Sequence, residues 1–598
     1  MWPEIRKFAS ELPLVGPALR SAYRKSHGLP DVEGAQSDAP DFKYHSWIER
    51  RVRERAVDYP APKENAPRFD ILTLVFNTDP EVLRKAAASV FAQDYAHFRW
   101  VIWDNGSTNL ETRAALTEIM KDARVHFHRS EQNLGINNGH LKALELCDSE
   151  YIALFDHDDL LYPDALRINA WHIDVFGRPD FLYSDEDKCD MQDRRYWPYF
   201  KPDFSPALLL DSGYTCHLSV AKRATLLVCG AFTDPLVEGA QDWDMALHIQ
   251  DFLKLNYKDR IVHIPEILYT WRGVPESTAV RGVEAKPHVI AAQKRCVESA
   301  LERRGLRDEF EPTPNEKFKS PDGHWWCSRK RTIESAITVF QLSDESASSK
   351  VESLAKLRAT IHSISVAEFG SVFSSKLPNI TDEFVAVITG RLLKSDLQNW
   401  LLEAIRILTL NPNAAITVGR TVNNSSYVQG GPHILIGKFS ELPTTEWSDQ
   451  GYFARNLCHH DVSNFFRASW IGRRSAINSD MFKIEEFPNL WETDLCIQLL
   501  QNGREIVYSP LINTPNIVRP TPSEEETIRF IRAHHDLIRD DPYYSPFCSL
   551  KAESLYSIVE PAERAAVLNP LFEKAGVPLV PTDRYELGRY SRLRRKNP

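Results

Sequence analysis

From residue 69 onward the chain alternates short apolar runs with amphipathic stretches. Phe69–Phe76 and Phe98–Trp103 are short, β-prone and bounded by polar turns, so they read as buried strands. Between them, Pro80–Gln93 puts Leu83, Ala87, Val90 and Phe91 on one helical face, and Leu110–Lys121 predicts a second helix. A strand at Val125–His128, a helix at Asn137–Leu146 and a strand at Tyr151–Phe155 follow. Strands at Phe181–Ser184 and Ile261–Ile264 and a long helix near Pro287–Arg304 complete the unit. Strands and helices alternating at this length predict an α/β fold with a mainly parallel sheet and crossover helices. A second α/β pattern runs from about Ile333 to Val518.

With 598 residues the chain exceeds one ordinary domain. The predicted division is a polar arm over 1–66, an α/β unit over 67–310, a linker over 311–329, a second unit over 330–520 and a tail over 521–598. The arm carries helices near Glu4–Lys25 and Tyr44–Val57 and ends at Tyr59-Pro60-Ala61-Pro62. A net charge of −10 without a strongly basic domain argues against a nucleic-acid binder. Nine scattered cysteines with no CxxC pair suit reduced thiols in a cytosolic protein. No run approaches the ~18–20 apolar residues of a membrane span, and Phe8–Pro17 is too broken by Glu11 and two prolines for a signal peptide. The expected location is therefore the cytoplasm. Both ends are basic, through Arg6, Lys7, Arg20, Arg24 and Lys25, and through Arg584, Arg589, Arg592, Arg594, Arg595 and Lys596. They read either as solvated tails or as contacts to an anionic leaflet on the inner membrane, where each cation contributes about 1 kcal/mol.

The most telling chemistry is Asp156-His157-Asp158-Asp159, directly after the Tyr151–Phe155 strand. Ligands in open α/β sheets bind at the carboxyl edge, and clustered carboxylates suit a hard divalent ion such as Mg²⁺ or Mn²⁺ bridging to a diphosphate. The competing reading is an acidic strand-to-helix turn with Asp159 as a cap. Other polar groups fall where the same sheet would gather them. These are Asn77 and Asp79, Asp104, Asn133-Leu134-Gly135, Ser184–Lys188, Gln241–Asp244 and Tyr269–Arg272.

Over residues 67 to about 300 these stretches resemble bacterial family 2 inverting glycosyltransferases of GT-A fold, most closely the O-antigen and surface-polysaccharide type that includes many rhamnosyltransferases. The resemblance rests on Ser89–Tyr95, Trp103–Ser107, Asn133–Gly135, Phe155–Asp159, Tyr183–Lys188, Gly239–Asp244, Ile264–Arg272 and Ser277-Thr278-Ala279, in matching order and spacing. It implies a nucleotide-sugar donor, a glycan or lipid-linked oligosaccharide acceptor, and a Mn²⁺ or Mg²⁺ ion on Asp156, Asp158 and Asp159. It also implies donor contacts from Asn77, Asp104, Asn133, Asp156 and Arg272. Asp242 aligns with the acid that takes the acceptor proton, while Asp185, Glu186, Asp244 and Trp271 fall on the acceptor side, with Asp185, Glu186 and Asp187 reading equally as a second acidic turn.

Plainer readings stand beside these. Asp104 is also an Asx-turn candidate before Gly106, and Asp242 and Asp244 suit a helix N-terminus. Trp271 is either core packing or a sugar platform. His217 and His263 are either third metal ligands or hydrogen-bonded structural histidines. The second unit looks like a degenerate GT-A copy. Phe384–Leu393 parallels Tyr151–Leu160 but replaces the acids with Thr389, Arg391 and Leu392, and Thr493 falls at the base position unless the alignment slips by one residue. An unrelated α/β domain is the alternative. For the whole chain, a catalytically inactive carbohydrate-binding or scaffold protein, or a nucleotidyltransferase, competes with a transferase.

Overall fold

This computed structural model describes residues 42–62, 64–273, 288–315 and 323–330, then 335–343, 348–354, 357–365, 369–389, 394–422, 427–430, 445–446, 451–465, 469–515, 521–551 and 556–585. The helix expected at Glu4–Lys25, the Ser277-Thr278-Ala279 motif, Arg391 and Leu392, and the basic residues 589–596 lie outside the described residues. Two compact units form, one built on residues 38–331 and one on 332–588.

The first unit opens with helix α1 (Phe42–Asp58). Next come β1 (Phe69–Val75), α2 (Pro80–Phe91), β2 (Phe98–Asp104), α3 (Leu110–Ile119), β3 (Val125–Arg129), α4 (Ile136–Leu146) and β4 (Tyr151–Leu154). After the acidic loop come β5 (Leu160–Leu161), α5 (Ala165–Val175), β6 (Phe181–Cys189), β7 (Arg195–Tyr199), α6 (Pro206–Asp211), β8 (Ser219–Lys222), α7 (Arg223–Cys229), α8 (Gln241–Leu253), β9 (Ile261–Arg272) and α9 (His288–Arg303). The predicted linker instead contains an antiparallel pair, β10 (Phe310–Pro314) and β11 (Trp325–Arg329).

The main sheet runs β3-β2-β1-β4-β8-β6-β9-β5, with β7 added to β6. Its first half, β3 to β4, is parallel, and β8 then runs antiparallel between β4 and β6. Local chemistry sets the helix starts. The Asp79 side chain accepts from the N–H groups of Glu81 and Val82 ahead of α2, with Pro80 in its first turn. Asn109 caps α3 in the same way. Pairing sets Val75 opposite Asp104, and β4 stops at Leu154, opposite Leu72. Asp104 and the acidic tetrad therefore reach the same carboxyl edge.

Helix α1, expected in a separate arm, is built into this unit. Arg51 and Arg55 are both buried, and they pair with Glu266 at 2.5 Å and Asp164 at 3.0 Å. Tyr59 donates to Glu266 at 2.9 Å, and Tyr44 donates to Asp187 at 2.6 Å. Removing one partner from such a pair leaves a buried charge uncompensated, so the helix is bound to the sheet.

The second unit contains β12 (Ser335–Ser343), β13 (Ser348–Leu354), β14 (Leu357–Ser365), α10 (Phe369–Lys376), β15 (Phe384–Thr389), α11 (Lys394–Leu410) and β16 (Ala414–Val422). Then follow β17 (Tyr427–Gly430), β18 (Thr445–Glu446), β19 (His460–Asp461), β20 (Trp470–Arg473), α12 (Trp491–Gln501), β21 (Glu505–Pro515), α13 (Glu524–Arg539) and α14 (Pro561–Ala575). Strands β14, β12, β15, β20, β16 and β21 repeat the neighbour order of β2, β1, β4, β8, β6 and β9. The strand directions match at each step: β12 is parallel to β14 and β15, β20 is antiparallel to β15 and β16, and β16 is parallel to β21. The two sheets also meet these strands in the same chain order. They differ at the edge, where β13 is antiparallel to β14 while β3 is parallel to β2.

The stretch expected as a tail is folded into this unit as far as Tyr585. Phe530, Ile531, Leu568 and Phe572 are buried, and His534 on α13 meets Asp494 on α12 at 2.8 Å. All nine cysteines are free thiols. Among the described residues no helix is long and apolar enough to cross a membrane.

Asp70 ties three strands together at the opposite edge. Its carboxylate accepts from Arg99 Nε and Nη2 at 2.8 Å, from Asp148 N–H at 2.8 Å, and from Ser149 N–H and Oγ at 2.9 and 2.8 Å. Burial pushes its pKa up, but Arg99 and Ser149 outweigh burial and hold it below the usual range. Asp70→Asn is expected to cost about 2–4 kcal/mol at pH 7, read by urea denaturation. A depressed carboxylate stabilises above its unfolded pKa, so wild type and variant should converge only below about pH 4.

Candidate active site

The acidic loop divides its side chains between interior and solvent. Strand β4 is wholly buried, and Phe155 continues it by donating its N–H to Leu72 O at 3.0 Å. Asp159 turns inward and is 1% exposed. It accepts from Tyr269 Oη at 2.6 Å and from the Arg272 N–H at 2.7 Å. Both of its oxygens are thus engaged within the protein. Asp156 keeps 50% of its side chain accessible and Asp158 keeps 29%. Of the three acids assigned to a metal, two stay accessible to solvent and the third anchors the loop.

Arg272 completes the anchor. Its Nε donates to the Asp158 carbonyl at 3.0 Å, and Nη1 donates to Asp193 Oδ1 at 2.5 Å and to the Asp190 carbonyl at 3.4 Å. Among the described residues Nη2 is buried without a hydrogen-bond partner. The guanidinium therefore joins the acidic loop to the hairpin between β6 and β7.

Asp242 stands in the first turn of α8, whose N-cap, Ala240, offers no side-chain bond. Gln241 Nε2 donates to Asp242 Oδ2 at 3.1 Å. Burial raises the Asp242 pKa, and His217 opposes the rise. Asp156, although half accessible, is likewise raised by desolvation from the surrounding protein, with His217 opposing and the charges of Asp242 and Asp158 adding to it. For His217, burial favours the neutral ring, but Glu186, Asp156 and Asp242 outweigh it and lift the pKa to about 9. The His217 cation thus sits among Glu186, Asp156 and Asp242.

His217 is held from several sides. Its ring stacks on Tyr269 at 4.8 Å and lies 5.9 Å from Trp271. Nδ1 is 3.4 Å from Glu186 Oε2, and Nε2 is 3.8 Å from Asp156 Oδ2. Its N–H donates to Glu186, which also meets Lys201 Nζ at 3.3 Å. That ammonium donates to the carbonyls of Cys216 and His217 at 2.8 Å each. Half-buried Trp271 lies beside Lys188, whose Nζ is 4.5 Å from the Trp271 ring and 5.1 Å from Trp197. The structure gathers Asp156, Glu186, Asp242 and Trp271 around this histidine, with Asp158 next to Asp156.

The remaining predicted residues lie elsewhere. Asp185 is buried against His263 at 2.8 Å and the Lys201 N–H at 2.8 Å. Asp244 is 0% exposed, 3.4 Å from His248. Asp104 accepts from the N–H of Ser107, three residues on, at 2.9 Å and pairs with Arg129 at 2.7 Å. Asn77, in the left-handed region at φ 50°, accepts from the Thr108 and Asn109 N–H groups at 2.8 and 2.9 Å. Asn133 accepts from Asn105 Nδ2 at 2.9 Å and the Gly135 N–H at 2.8 Å. These three shape the loops at the carboxyl ends of β1 and β2 and before α4.

The same comparison corrects the second unit. Helices α8 and α12 precede equivalent strands and begin after Ala240 and Leu490. Counting from these caps matches Glu492, not Thr493, with Asp242, and Asp494 with Asp244. Gln498 Nε2 donates to Asp494 at 2.5 Å from the position His248 holds beside Asp244.

The family model for glycosyl transferase family 2 matches residues 70–198. The chain carries a glycosyl transferase family 2 domain. Its α/β sheet is the GT-A arrangement expected from the motifs, followed by a second α/β sheet. An uncharacterized Sinorhizobium fredii protein, y4gI, is 37% identical over 242 residues, covering 40% of this chain and 26% of its own. The O-antigen biosynthesis protein RfbC of Myxococcus xanthus is 29% identical over 317 residues, covering 50% of this chain and 24% of its own. The chain thus spans about a quarter of these curated relatives. The solved structure of S. aureus TarS in complex with UDP aligns with a TM-score of 0.29 at 19% identity, over 40% of this chain and 70% of that one.

Arg272→Lys keeps a positive charge but loses the planar fork that reaches both Asp158 and Asp193. Losing charge-assisted hydrogen bonds here is expected to speed limited proteolysis within residues 190–195 by about 10-fold, with overall stability little changed. Unchanged cleavage would show that the hairpin is held by other contacts.

Proposed function

We propose that the first unit transfers a sugar from a nucleoside-diphosphate donor to a hydroxyl of a growing surface polysaccharide, by single displacement with inversion. The observation that carries this reading is the convergence of Asp156, Asp158, His217 and Asp242 at the carboxyl edge of a family 2 sheet. O-antigen biosynthesis, named for the Myxococcus relative, supports a surface-polysaccharide acceptor; a lipid-linked acceptor and the rhamnosyl type rest on the motif resemblance alone. Such an acceptor fits a cytoplasmic protein that works at the inner face of the inner membrane.

In this mechanism Asp242 takes the acceptor proton. Its burial-raised pKa makes it a better base than an exposed aspartate, and a positioned base contributes about 10²–10⁴-fold. The acceptor oxygen attacks the anomeric carbon as the bond to the diphosphate breaks, and the electron pair leaves on the phosphate. His217, held by Glu186, places a positive charge beside the carboxylates. Trp271 borders the acceptor side. Asn77, Asp104 and Asn133 shape the loops that receive the nucleotide.

The cleft also fits a divalent cation. Among the described residues no three His, Cys, Asp or Glu side chains make a metal site on their own. Ions of this type typically take one or two carboxylates plus substrate phosphates, and Asp156 and Asp158 supply that oxygen pair. When bound, Mn²⁺ or Mg²⁺ neutralises the diphosphate charge.

The second unit repeats the fold without the acids. Its sequence beyond β15 reads Gly390-Arg391-Leu392, and an arginine opposes a bound cation. We assign it no transfer chemistry.

Calorimetry with UDP, GDP and dTDP, with and without Mn²⁺, tests the reading. One nucleotide is expected to bind only with metal, and Asp158→Ala is expected to abolish that binding. If none binds, the inactive carbohydrate-binding or scaffold reading takes its place. Asp242→Asn is expected to keep nucleotide affinity while turnover falls about 10²–10⁴-fold. Wild-type turnover is expected to fall on acidification with an apparent pKa above the usual Asp value of about 3.9, because the base has to be ionised.

A further inference from the structure

A carboxylate outside every motif joins the donor-side loop to the base helix. Helix α4 begins after Gly135, at φ 81°, and has no side-chain cap of its own. The cap comes from 102 residues further along the chain. Glu238 Oε1 accepts from the Ile136 N–H at 2.5 Å, and Oε2 accepts from the Asn137 N–H at 3.3 Å. The free N–H groups and positive dipole end of a helix favour a carboxylate at this place. Asn137 Nδ2 adds a second tie to the Asp234 carbonyl at 2.6 Å, and Arg295 holds the Asp234 carboxylate at 2.7 Å.

The loop then leads straight into α8. Gly239 follows at φ 90°, and a Cβ there would lie 2.8 Å from Val289 Cγ2, so the turn is sterically defined. Gln241 Oε1 accepts from the Gly239 N–H at 3.0 Å while its Nε2 donates to Asp242. Because the N-cap of α8 makes no side-chain bond, the start of this helix takes its place from the loop before it. A Cβ on Gly135 would meet both Glu238 carboxylate oxygens at 3.2 Å, so the clasp also depends on that glycine.

We infer that Glu238 is a positioning residue that sets the reach of the base Asp242 by docking the loop before α8 onto the N-terminus of α4. The inference rests on the transferase reading for the role of Asp242. The clasp itself does not. It links the Asn133–Gly135 loop on the donor side to the base on the acceptor side.

The test uses the full chain with Glu238→Ala and Glu238→Gln, followed by hydrogen exchange and by release of nucleoside diphosphate from the donor that calorimetry selects. In Glu238→Ala, exchange is expected to rise about 10-fold in residues 136–139 and in residues 239–245 together, with the rest of the unit unchanged. Misplacing the base is expected to lower kcat by about 100-fold while the donor KM changes little. Added formate, which fills a helix N-terminal anion position, should restore part of both. Glu238→Gln keeps the shape and one acceptor oxygen, should fall between, and serves alone if the alanine variant fails to fold. Faster exchange confined to residues 136–139 with kcat unchanged would overturn the inference. So would kcat and KM falling off together without formate rescue. If wild type releases no nucleoside diphosphate, the transferase reading fails, and the paired exchange of the two segments still decides the clasp.

Discussion

The buried carboxylate of Asp159 is the pivot of the site. Tyr269 and the Arg272 N–H hold both of its oxygens, and burial next to two further acids raises its pKa well above the carboxylate range. Strand β9 thereby fixes the turn that follows β4. With Asp159 drawn inward, Asp156 and Asp158 remain accessible, and Tyr269, which orders the loop from below, is also the surface on which His217 stacks. The loop, the histidine and the aromatic floor thus share one support. A metal ligand set read from the tetrad alone would include Asp159; the geometry assigns it to holding the other two in place.

Repetition of the sheet in the second unit separates architecture from chemistry. Strand order, direction and the helix before the last strand are kept, together with Asp494 and the side chain four residues after it. Those features bury apolar surface: Trp491 packs against Phe369 and Phe482 in an aromatic core with Phe373 and Trp470. Asp156 and Asp158, the two accessible acids after β4, have no packing role to preserve, and the second copy carries Gly390-Arg391-Leu392 in this stretch. Glu492 at the base position is 3% exposed, whereas Asp242 is only partly buried.

Strands and helices with strong local periodicity were legible in the sequence. The Phe69–Phe76 and Tyr151–Phe155 expectations ended one residue beyond the observed strands, and Pro80–Gln93 ended two beyond α2. Short antiparallel strands such as β5 and β8 gave no signal, because their pairing is set by distant partners. Membership of α1 in the first unit was hidden for the same reason: Arg51 and Arg55 look like solvated surface cations until Glu266 and Asp164 are placed beside them. At the site, the order of motifs marked Asp156, Asp158 and Asp242. It did not mark Glu238 or Lys201, whose partners lie far away in the chain, nor distinguish Asp185 and Asp244, which face inward, from Glu186 and Asp242.

The central claim is that Asp158 and Asp242 face one another's substrates across a single cleft, with metal and diphosphate on the first and the acceptor hydroxyl on the second. The most direct measurement is a crystal structure of the protein with Mn²⁺ and the nucleotide that binds it, with the ion located by anomalous scattering. An anomalous peak within coordination distance of Asp158 and the diphosphate, with the Asp242 carboxylate facing the open side, is the predicted result. A peak elsewhere, or nucleotide bound away from β4, would contradict the account.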